Sequence, residues 1–263
     1  MIFCKLPRAG LGNQLFVIAK SLIYEELNNT QIVFLNSPYI KIGPYLRNER
    51  SKRNYNGFFV FQHGYLIDFI KNKFYQKRVS KILISEPELI KEEQIKDVIF
   101  NEIPNHLTYF DELIPFRELL KKKMFKIISE KIQKEIINLK IIDVAVHVRL
   151  GDFQKLNSEA DFGSISSART PFSFFLEEMN KIADNNKNIK FTVFSDGYKK
   201  ELEEILKFPN TELYKSKNDI LDLYQMAKSN ILITSVGSTF SYWAGFLGDC
   251  VVIQHPNHFR NIK

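Results

Sequence analysis

The sequence predicts an α/β fold of parallel sheets, and three observations carry this prediction. Residues 2–35 follow the strand–helix–strand order of a βαβ unit. Residues 140–263 alternate short apolar runs with amphipathic segments, as in a parallel sheet covered by helices on both faces. Within that stretch, the β-branched run Val144–Val148 has the continuous apolar character of a buried strand. We therefore expect two α/β units, with a boundary near residue 140.

The first unit begins with a strand predicted at Ile2–Leu6 and a turn at Pro7–Gly12. An amphipathic helix is expected at Asn13–Leu27, because its apolar residues recur at helical spacing, and a second strand at Gln31–Leu35. Residues 36–105 are irregular and rich in Tyr, Phe, Lys and Asn, and no element is predicted there.

A charged and mostly helical segment at Glu112–Leu139, bent or broken near Pro115, leads into the second unit. Strands are expected in that unit at residues 141–148, 189–194, 212–214, 231–234 and 251–253. Helices are expected at residues 171–183, 199–206, 219–227 and 239–247. Pro171 stands at the start of the first of these helices, and Asn218 is placed to cap the third.

The net charge of the 263-residue chain is +7, which favours an anionic partner such as a nucleotide sugar, a membrane surface or a nucleic acid. Basic clusters lie at residues 47–53, 71–78 and 121–123, and such clusters are most often solvated faces. The second and third lie among Phe, Ile and Leu, a pattern that suits contact with an anionic membrane. No aromatic and basic recognition motif is present, so nucleic acid is not expected as a partner.

The location expected from the sequence is the cytoplasm, with peripheral contact at the inner membrane face as a further hypothesis. Lys5 and Arg8 interrupt any early apolar run, so no signal peptide is expected. No apolar stretch approaches the ~20 residues that a transmembrane helix needs. Cys4 and Cys250 lie in apolar runs and are interpreted as buried small hydrophobes rather than as catalytic or disulfide-forming groups.

Small and polar residues follow the first predicted strand. Gly10 and Gly12 allow a tight turn and a close approach of ligand to a helix start, and Asn13 and Gln14 add amide groups. Leu15 occupies the place of the third small residue in the dinucleotide fingerprint, so this turn does not indicate a nicotinamide site. An ordinary turn with a polar cap is the alternative.

The end of the strand at 141–148 carries a cationic cluster. Arg149 can grip a phosphate through two parallel hydrogen bonds, and Gly151 allows backbone to approach the ligand. His147 lies two residues before Arg149 and so points to the same face of the strand. The alternatives are a satisfied core histidine for His147 and a cap for Asp152.

Two further strand ends carry polar turns. Asp196 can accept hydrogen bonds from a base or ribose, or serve as a turn residue before a glycine. Ser238, Thr239 and Ser241 open a predicted helix and can bind phosphate, or cap that helix. Three such ends on one edge of one sheet predict an anion site there. No Asp-X-Asp triplet or metal-ligand spacing is present, so a metal-independent enzyme would use Arg149 to neutralise a leaving diphosphate.

The four segments Gly10–Phe16, His147–Asp152, Val193–Asp196 and Ser238–Ala244, in this order, resemble the motifs of glycosyltransferase family 11. These are α-1,2-fucosyltransferases that use GDP-fucose, within a wider fucosyltransferase superfamily. The segment at 105–110 resembles a weaker family motif. The resemblance implies a GT-B fold, with two Rossmann-like domains facing a central cleft, and inversion at the sugar carbon without a metal or other cofactor.

The resemblance also implies roles for the domains and residues. Residues 1–139 would form the acceptor-side domain and residues 140–263 the domain that binds the nucleotide sugar. Arg149 would hold the β-phosphate of GDP, with His147 supporting it. Asp196 and residues 238–241 would line the nucleotide pocket, and Asn13 would reach the donor or the acceptor.

Asp152, Glu159 and Asp161 are candidate general bases, with Asp152 favoured because the family motif contains it. Arg169 is a further candidate to face the site. The acceptor would be an oligosaccharide or glycolipid of the bacterial surface, such as lipopolysaccharide or capsule.

Two departures from the family pattern leave the donor open. Leu150 stands where the family has a second Arg, and Val236 where it has an Asn. Loss of a cationic donor would weaken diphosphate binding or indicate another donor, so a transferase of the same fold with a different nucleotide-activated group is an alternative. A non-catalytic nucleotide or nucleic-acid binder, suggested by the +7 charge, is the third hypothesis.

Overall fold

The computed structural model describes residues 2–7, 9–36, 43–46, 55–78, 83–84, 98–100, 110–156, 162 and 168–263. Arg8, Glu159, Asp161, the basic cluster at 47–53 and the motif segment at 105–109 lie outside these residues. The chain forms two compact units: the described residues of 2–36 and 55–134 belong to the first, and residues 43–46 and the described residues of 135–262 belong to the second.

Nine strands and nine helices are assigned within the described residues. The strands are β1 (Ile2–Lys5), β2 (Ile32–Leu35), β3 (Leu83–Ile84), β4 (Val98–Phe100), β5 (Ile142–Val148), β6 (Phe191–Ser195), β7 (Thr211–Leu213), β8 (Ser229–Ile233) and β9 (Val251–Ile253). The helices are α1 (Leu11–Leu27), α2 (Gly43–Leu46), α3 (Tyr65–Arg78), α4 (Arg117–Ile127), α5 (Glu130–Ile137), α6 (Phe172–Asn185), α7 (Glu203–Leu206), α8 (Asp219–Ala227) and α9 (Thr239–Leu247).

The sheet of the first unit has the order β2-β1-β4-β3, and its described strand pairs are all parallel. Successive side chains of β1 point to opposite faces, and each face carries a helix. The Cys4 thiol donates to the carbonyl of Val17 in α1. The ring of Phe3 lies 4.9 Å from that of Tyr75 in α3. The predicted βαβ opening is therefore confirmed.

The predicted start of the first helix was two residues late. Helix α1 begins at Leu11 rather than at Asn13, because Gly10 takes the extended conformation before the helix and Gly12 already lies in its first turn. The helix is buried along most of its length, including Phe16, whose ring packs 4.8 Å from Phe110. The buried face of this helix is therefore wider than its predicted amphipathic pattern indicates.

The segment preceding the second unit is broken at two places rather than one. A 3₁₀ turn at Ile114–Phe116 contains Pro115, as the proline predicts. The second break separates α4 from α5 at residues 128–129, where Ile128 is buried and extended. The backbone N–H of Ser129 donates to the carbonyl of Phe58, so a tertiary contact takes the bond that a continuous helix would have made.

The sheet of the second unit has the order β7-β6-β5-β8-β9, with every pair parallel and β5 in the centre. Val144, Val146 and Val148 point to one face and pack in one cluster with Phe175 of α6 and Ile205 of α7. His147 points to the other face, where its ring lies 5.7 Å from Phe240 of α9. Helices thus cover both faces, as predicted, and the carboxyl ends of β5, β6 and β8 share one edge.

Local interactions explain why the elements of this unit begin where the sequence indicated. The Asn218 side chain accepts from the N–H of Leu221 at 2.9 Å and caps α8, as predicted. Pro171 is the N-cap of α6 rather than its first helical residue.

Cys4 and Cys250 are both buried, in agreement with their interpretation as small hydrophobes. Within the described residues, no helix has the length and apolar character needed to cross a bilayer.

Candidate functional site

The turn that follows β5 places Arg149 at the carboxyl edge of the second sheet, between two carboxylates. One terminal nitrogen of its guanidinium lies 2.6 Å from Asp196, and the other lies 2.5 Å from Asp152. The guanidinium carbon also lies 5.4 Å from the centre of the Phe153 ring, within reach of a cation–π interaction. The fork of Arg149 is therefore fixed in place by three neighbours.

Asp196 organises this turn. One of its oxygens accepts from the backbone N–H groups of Leu150 and Gly151, at 2.9 and 3.1 Å, while the other pairs with Arg149. A Cβ on Gly151 would lie 3.0 Å from the carboxylate carbon of Asp196 and closer still to an oxygen. Gly151 thus allows the carboxylate of Asp196, rather than a ligand, to lie close to the backbone. The Asp196 carboxylate binds protein groups in this structure.

The end of β8 supports the same turn from the other side. The buried Ser235 hydroxyl donates to the carbonyl of His147 and accepts from the N–H of Arg149, both at 2.8 Å. Ser235 therefore ties β8 to the end of β5. The sequence analysis did not single out Ser235, and its signal would have been a small hydroxyl residue directly after a strand.

Arg169 contacts the turn that carries Arg149. Its Nε donates to the carbonyls of Leu150 and Phe153, both at 3.1 Å, and a terminal nitrogen pairs with Glu201 at 2.9 Å. Its own N–H donates to the carbonyl of Gln154. The side chain expected to face the site thus positions the turn that carries Arg149.

The two departures from the family pattern have different structural consequences. Leu150 is buried in the cluster with Val148 and Val193, and its Cβ lies 3.1 Å from the point where Gly197 would carry one. A side chain at this position points into the core, so leucine here does not leave a gap beside Arg149. Val236 presents its backbone N–H to the hydroxyl of Thr170 at 2.9 Å, which holds the turn before α9 without an amide side chain.

His147 is buried, and its Nδ1 has no hydrogen-bond partner among the described residues. The pKa of His147 is lowered to about 4, chiefly by burial; the charge of Asp196 opposes this shift and that of Arg149 adds to it. The imidazole is therefore neutral near pH 7. A neutral ring with one unsatisfied nitrogen can donate to or accept from a ligand without adding charge to the site.

Helix α9 directs its N-terminus to the same edge of the sheet. Ser238 precedes it in extended conformation, and its buried hydroxyl has no hydrogen-bond partner among the described residues. The turn before it is held by the Tyr242 hydroxyl, which accepts from the N–H of Gly237, a residue with a φ of 70°. Thr239 opens the helix, and the Ser241 hydroxyl donates back to the carbonyl of Ser238. The first N–H groups of a helix and its dipole favour an anion at this end.

The predicted residues of the first unit lie at the carboxyl end of β1. Gly10 precedes α1, and Gly12 and Asn13 lie in its first turn. The buried Gln14 side chain donates to the carbonyls of Pro7 and Ala9, at 3.1 and 3.3 Å. Gln14 therefore shapes the turn that leads into α1, in addition to any role toward a substrate.

Comparison with known proteins agrees with this architecture. A family model described as glycosyl transferase family 11 matches residues 47–260 of the chain. No curated protein sequence matches the chain. The resemblance expected from the four sequence motifs is therefore confirmed.

Solved structures with the same fold share little sequence with the chain. The fucosyltransferase NodZ from Bradyrhizobium is 14% identical, with a TM-score of 0.51, and the match covers 98% of this chain and 96% of that one. NodZ α-1,6-fucosyltransferase soaked with GDP-fucose is 15% identical, with a TM-score of 0.52, and the match covers 97% of this chain and 94% of that one. POFUT1 in complex with GDP-fucose is 13% identical, with a TM-score of 0.56, and the match covers 97% of both chains. The predicted GT-B fold is confirmed by these matches.

Removal of the Asp196 carboxylate is expected to destabilise the protein more than removal of the Asp152 carboxylate. Asp196→Ala leaves two N–H groups without their acceptor, which costs about 2 kcal/mol of unfolding free energy. Asp152 lies at a more exposed position, with 34% of its side chain accessible against 14% for Asp196. Asp152→Ala should therefore cost less than about 1 kcal/mol. Urea denaturation of both variants measures the difference, and equal losses would contradict the organising role of Asp196.

The buried His147 predicts acid sensitivity. The folded protein keeps this ring neutral down to about pH 4, whereas the unfolded chain binds a proton below the ordinary pKa of 6.5. The free energy of unfolding should fall as the pH drops from 6.5 toward about 4. Below about pH 4 the ring is protonated in both states, and His147 causes no further loss. Between about pH 7 and about pH 5 the parent should lose about 2 kcal/mol more than His147→Gln. Urea titrations at both pH values provide the measurement, and parallel losses would show that His147 is not protected from protons.

Proposed function

Because the chain belongs to glycosyl transferase family 11, we propose that this glycosyltransferase moves L-fucose from GDP-fucose to a hydroxyl group of a bacterial surface glycan, forming an α-1,2 linkage. The observation that carries the proposal is the guanidinium of Arg149, held by Asp196 and Asp152 at the carboxyl edge of a parallel sheet. The solved structures of NodZ and POFUT1 with GDP-fucose support the choice of donor.

The β-phosphate of the donor would bind Arg149 in exchange for one of its carboxylate partners. Asp196 also accepts from two backbone N–H groups, so its displacement would disrupt the turn. Asp152 is more exposed, with 34% of its side chain accessible, and it pairs with Arg149. We therefore expect the phosphate to replace Asp152 at one terminal nitrogen of the guanidinium fork, while Asp196 keeps the other.

The nucleotide end of the donor would lie along the same edge. The N-terminus of α9 and the unsatisfied Ser238 hydroxyl would donate to phosphate oxygens, with Thr239 and Ser241 in the first turn beside them. His147 would meet the donor with its free nitrogen, while Asp196 fixes the turn that lines the pocket. In the first unit, Gly10, Gly12, Asn13 and Gln14 would form part of the substrate-binding surface.

The reaction would be a single displacement with inversion. The acceptor oxygen forms a bond to the anomeric carbon as the bond from that carbon to the β-phosphate oxygen breaks. The electron pair of the broken bond leaves with GDP, where Arg149 stabilises the negative charge. Asp152, released from Arg149 by the phosphate, would take the proton of the acceptor hydroxyl as general base.

We propose that the transfer needs no metal ion. Among the described residues, no group of three His, Cys, Asp or Glu side chains could hold one. The charge of the leaving diphosphate would be met by Arg149 and by the positive end of the α9 dipole.

Arg149→Lys is expected to weaken GDP binding by roughly tenfold or more and to remove most turnover, since a lysine keeps the charge but loses the planar fork. Calorimetry with GDP and GDP-fucose measures affinity, and product formation measures turnover. Arg117→Lys is the matched control, because Arg117 lies on α4 in the first unit and pairs with the exposed Glu118. Parent-like turnover of Arg149→Lys would refute the phosphate contact. Binding of another nucleotide while GDP and GDP-fucose fail to bind would refute the donor.

Chelation is expected to leave the reaction unchanged. Turnover measured after dialysis against EDTA should equal that of the untreated protein, because no step depends on a bound cation. Loss of turnover that a divalent metal restores would overturn the proposed metal independence while leaving the donor assignment intact.

A further inference from the structure

Helix α3 of the first unit presents its polar residues inward and its apolar residues outward. Asp68, Asn72 and Tyr75 form the inward stripe, with the first two buried. Five large apolar side chains of the same helix are between 45% and 72% exposed: Leu66, Ile67, Phe69, Ile70 and Phe74. This is the reverse of the pattern that a helix packed on a sheet normally shows.

Hydrogen bonds fix the rotation of this helix about its axis. The Asp68 carboxylate accepts from the side chain of Asn36 at 2.7 Å and from the N–H of His63 at 3.1 Å. The Asn72 amide donates to the carbonyl of Asn36, which directly follows β2. The ring of Tyr75 packs against Phe3 of β1. Turning the apolar face inward would break these hydrogen bonds. It would also expose the ring of Tyr75.

The outward surface is cationic as well as apolar. Helix α3 carries the half-buried Lys71 and the exposed Lys73 among its described side chains, and its one acidic residue, Asp68, is buried. The ammonium group of Lys73 lies 5.7 Å from the centre of the Phe69 ring, so its charge stands beside the apolar surface. Apolar and basic side chains on one exposed helix are the combination that binds in the interface of an anionic bilayer.

We propose that α3 docks this protein on an anionic lipid surface, with Leu66 and Ile70 entering the boundary between headgroups and acyl chains while Lys73 contacts lipid phosphates. Charge complementarity favours this occupant over a second copy of the chain, because two cationic α3 surfaces, each on a protein of net charge +7, would repel each other. The proposal is independent of the proposed function, since it concerns a surface of the first unit and requires no sugar donor.

Co-sedimentation of the 263-residue chain with lipid vesicles tests the proposal without any substrate. We expect binding to vesicles of equal parts phosphatidylglycerol and phosphatidylcholine, weaker binding when salt is added, and little binding to pure phosphatidylcholine. The double variant Leu66→Ser with Ile70→Ser should bind about tenfold or more weakly. Lys73→Gln should bind roughly fivefold more weakly.

Two matched controls separate this surface from general exposure and charge. Leu27→Ser removes a leucine of α1 that is 64% exposed, and Lys131→Gln removes an exposed lysine of α5. Both should bind like the parent, and all variants should keep the urea midpoint of the parent, because the altered side chains are on the surface. Failure of the parent to bind anionic vesicles, or equal binding by the α3 variants, would overturn the proposal. So would light scattering that shows a dimer of the parent dissociated by the α3 changes, since the face would then join two copies of the chain.

Discussion

The carboxylate of Asp196, at the end of β6, binds three consecutive residues of the turn that follows β5. It accepts from two consecutive N–H groups of the turn after β5 and pairs with the guanidinium of Arg149. Groups that the strand end would otherwise leave without partners are thereby satisfied inside a partly buried edge, where an unpaired N–H is costly. The direction of Arg149 follows from this turn, so the position of the cation depends on a residue at the end of a different strand.

The rest of the edge is arranged around that contact. Ser235 links β8 to the last residues of β5, and Arg169 holds the next carbonyls of the turn. Neither residue needs to touch a substrate to affect the transfer, because each fixes the turn on which the guanidinium stands. The sheet order explains the convergence: β5 lies between β6 and β8, so the ends of all three strands meet. A nearly rigid cation at such an edge is what a leaving diphosphate requires.

The sequence predicted most elements of the second unit because their apolar periodicity and their tertiary environment agree. Helix α9 and strand β9 have the predicted bounds, and β5 differs by a single residue. The partners of Arg149 could not be predicted in the same way, since Asp196 is brought to it by the pairing of β5 with β6 and Asp152 by the shape of the turn after β5. The inward direction of Leu150 likewise depends on the turn that Asp196 shapes. The break between α4 and α5 has no proline or glycine to announce it, and its cause is the long-range bond from Ser129 to Phe58.

The charges around Arg149 bear on how a diphosphate could enter. One guanidinium faces two carboxylates, so the cluster is not a net positive site as it stands. An arriving phosphate gains little unless one carboxylate withdraws, and the hydrogen bonds of Asp196 to the backbone leave Asp152 as the group that can do so. The exchange would then have two effects: it delivers the fork of Arg149 to the leaving group, and it frees a carboxylate in the same step. Under this arrangement a proton acceptor becomes available only when the donor is bound, so the general base would act only in the donor complex.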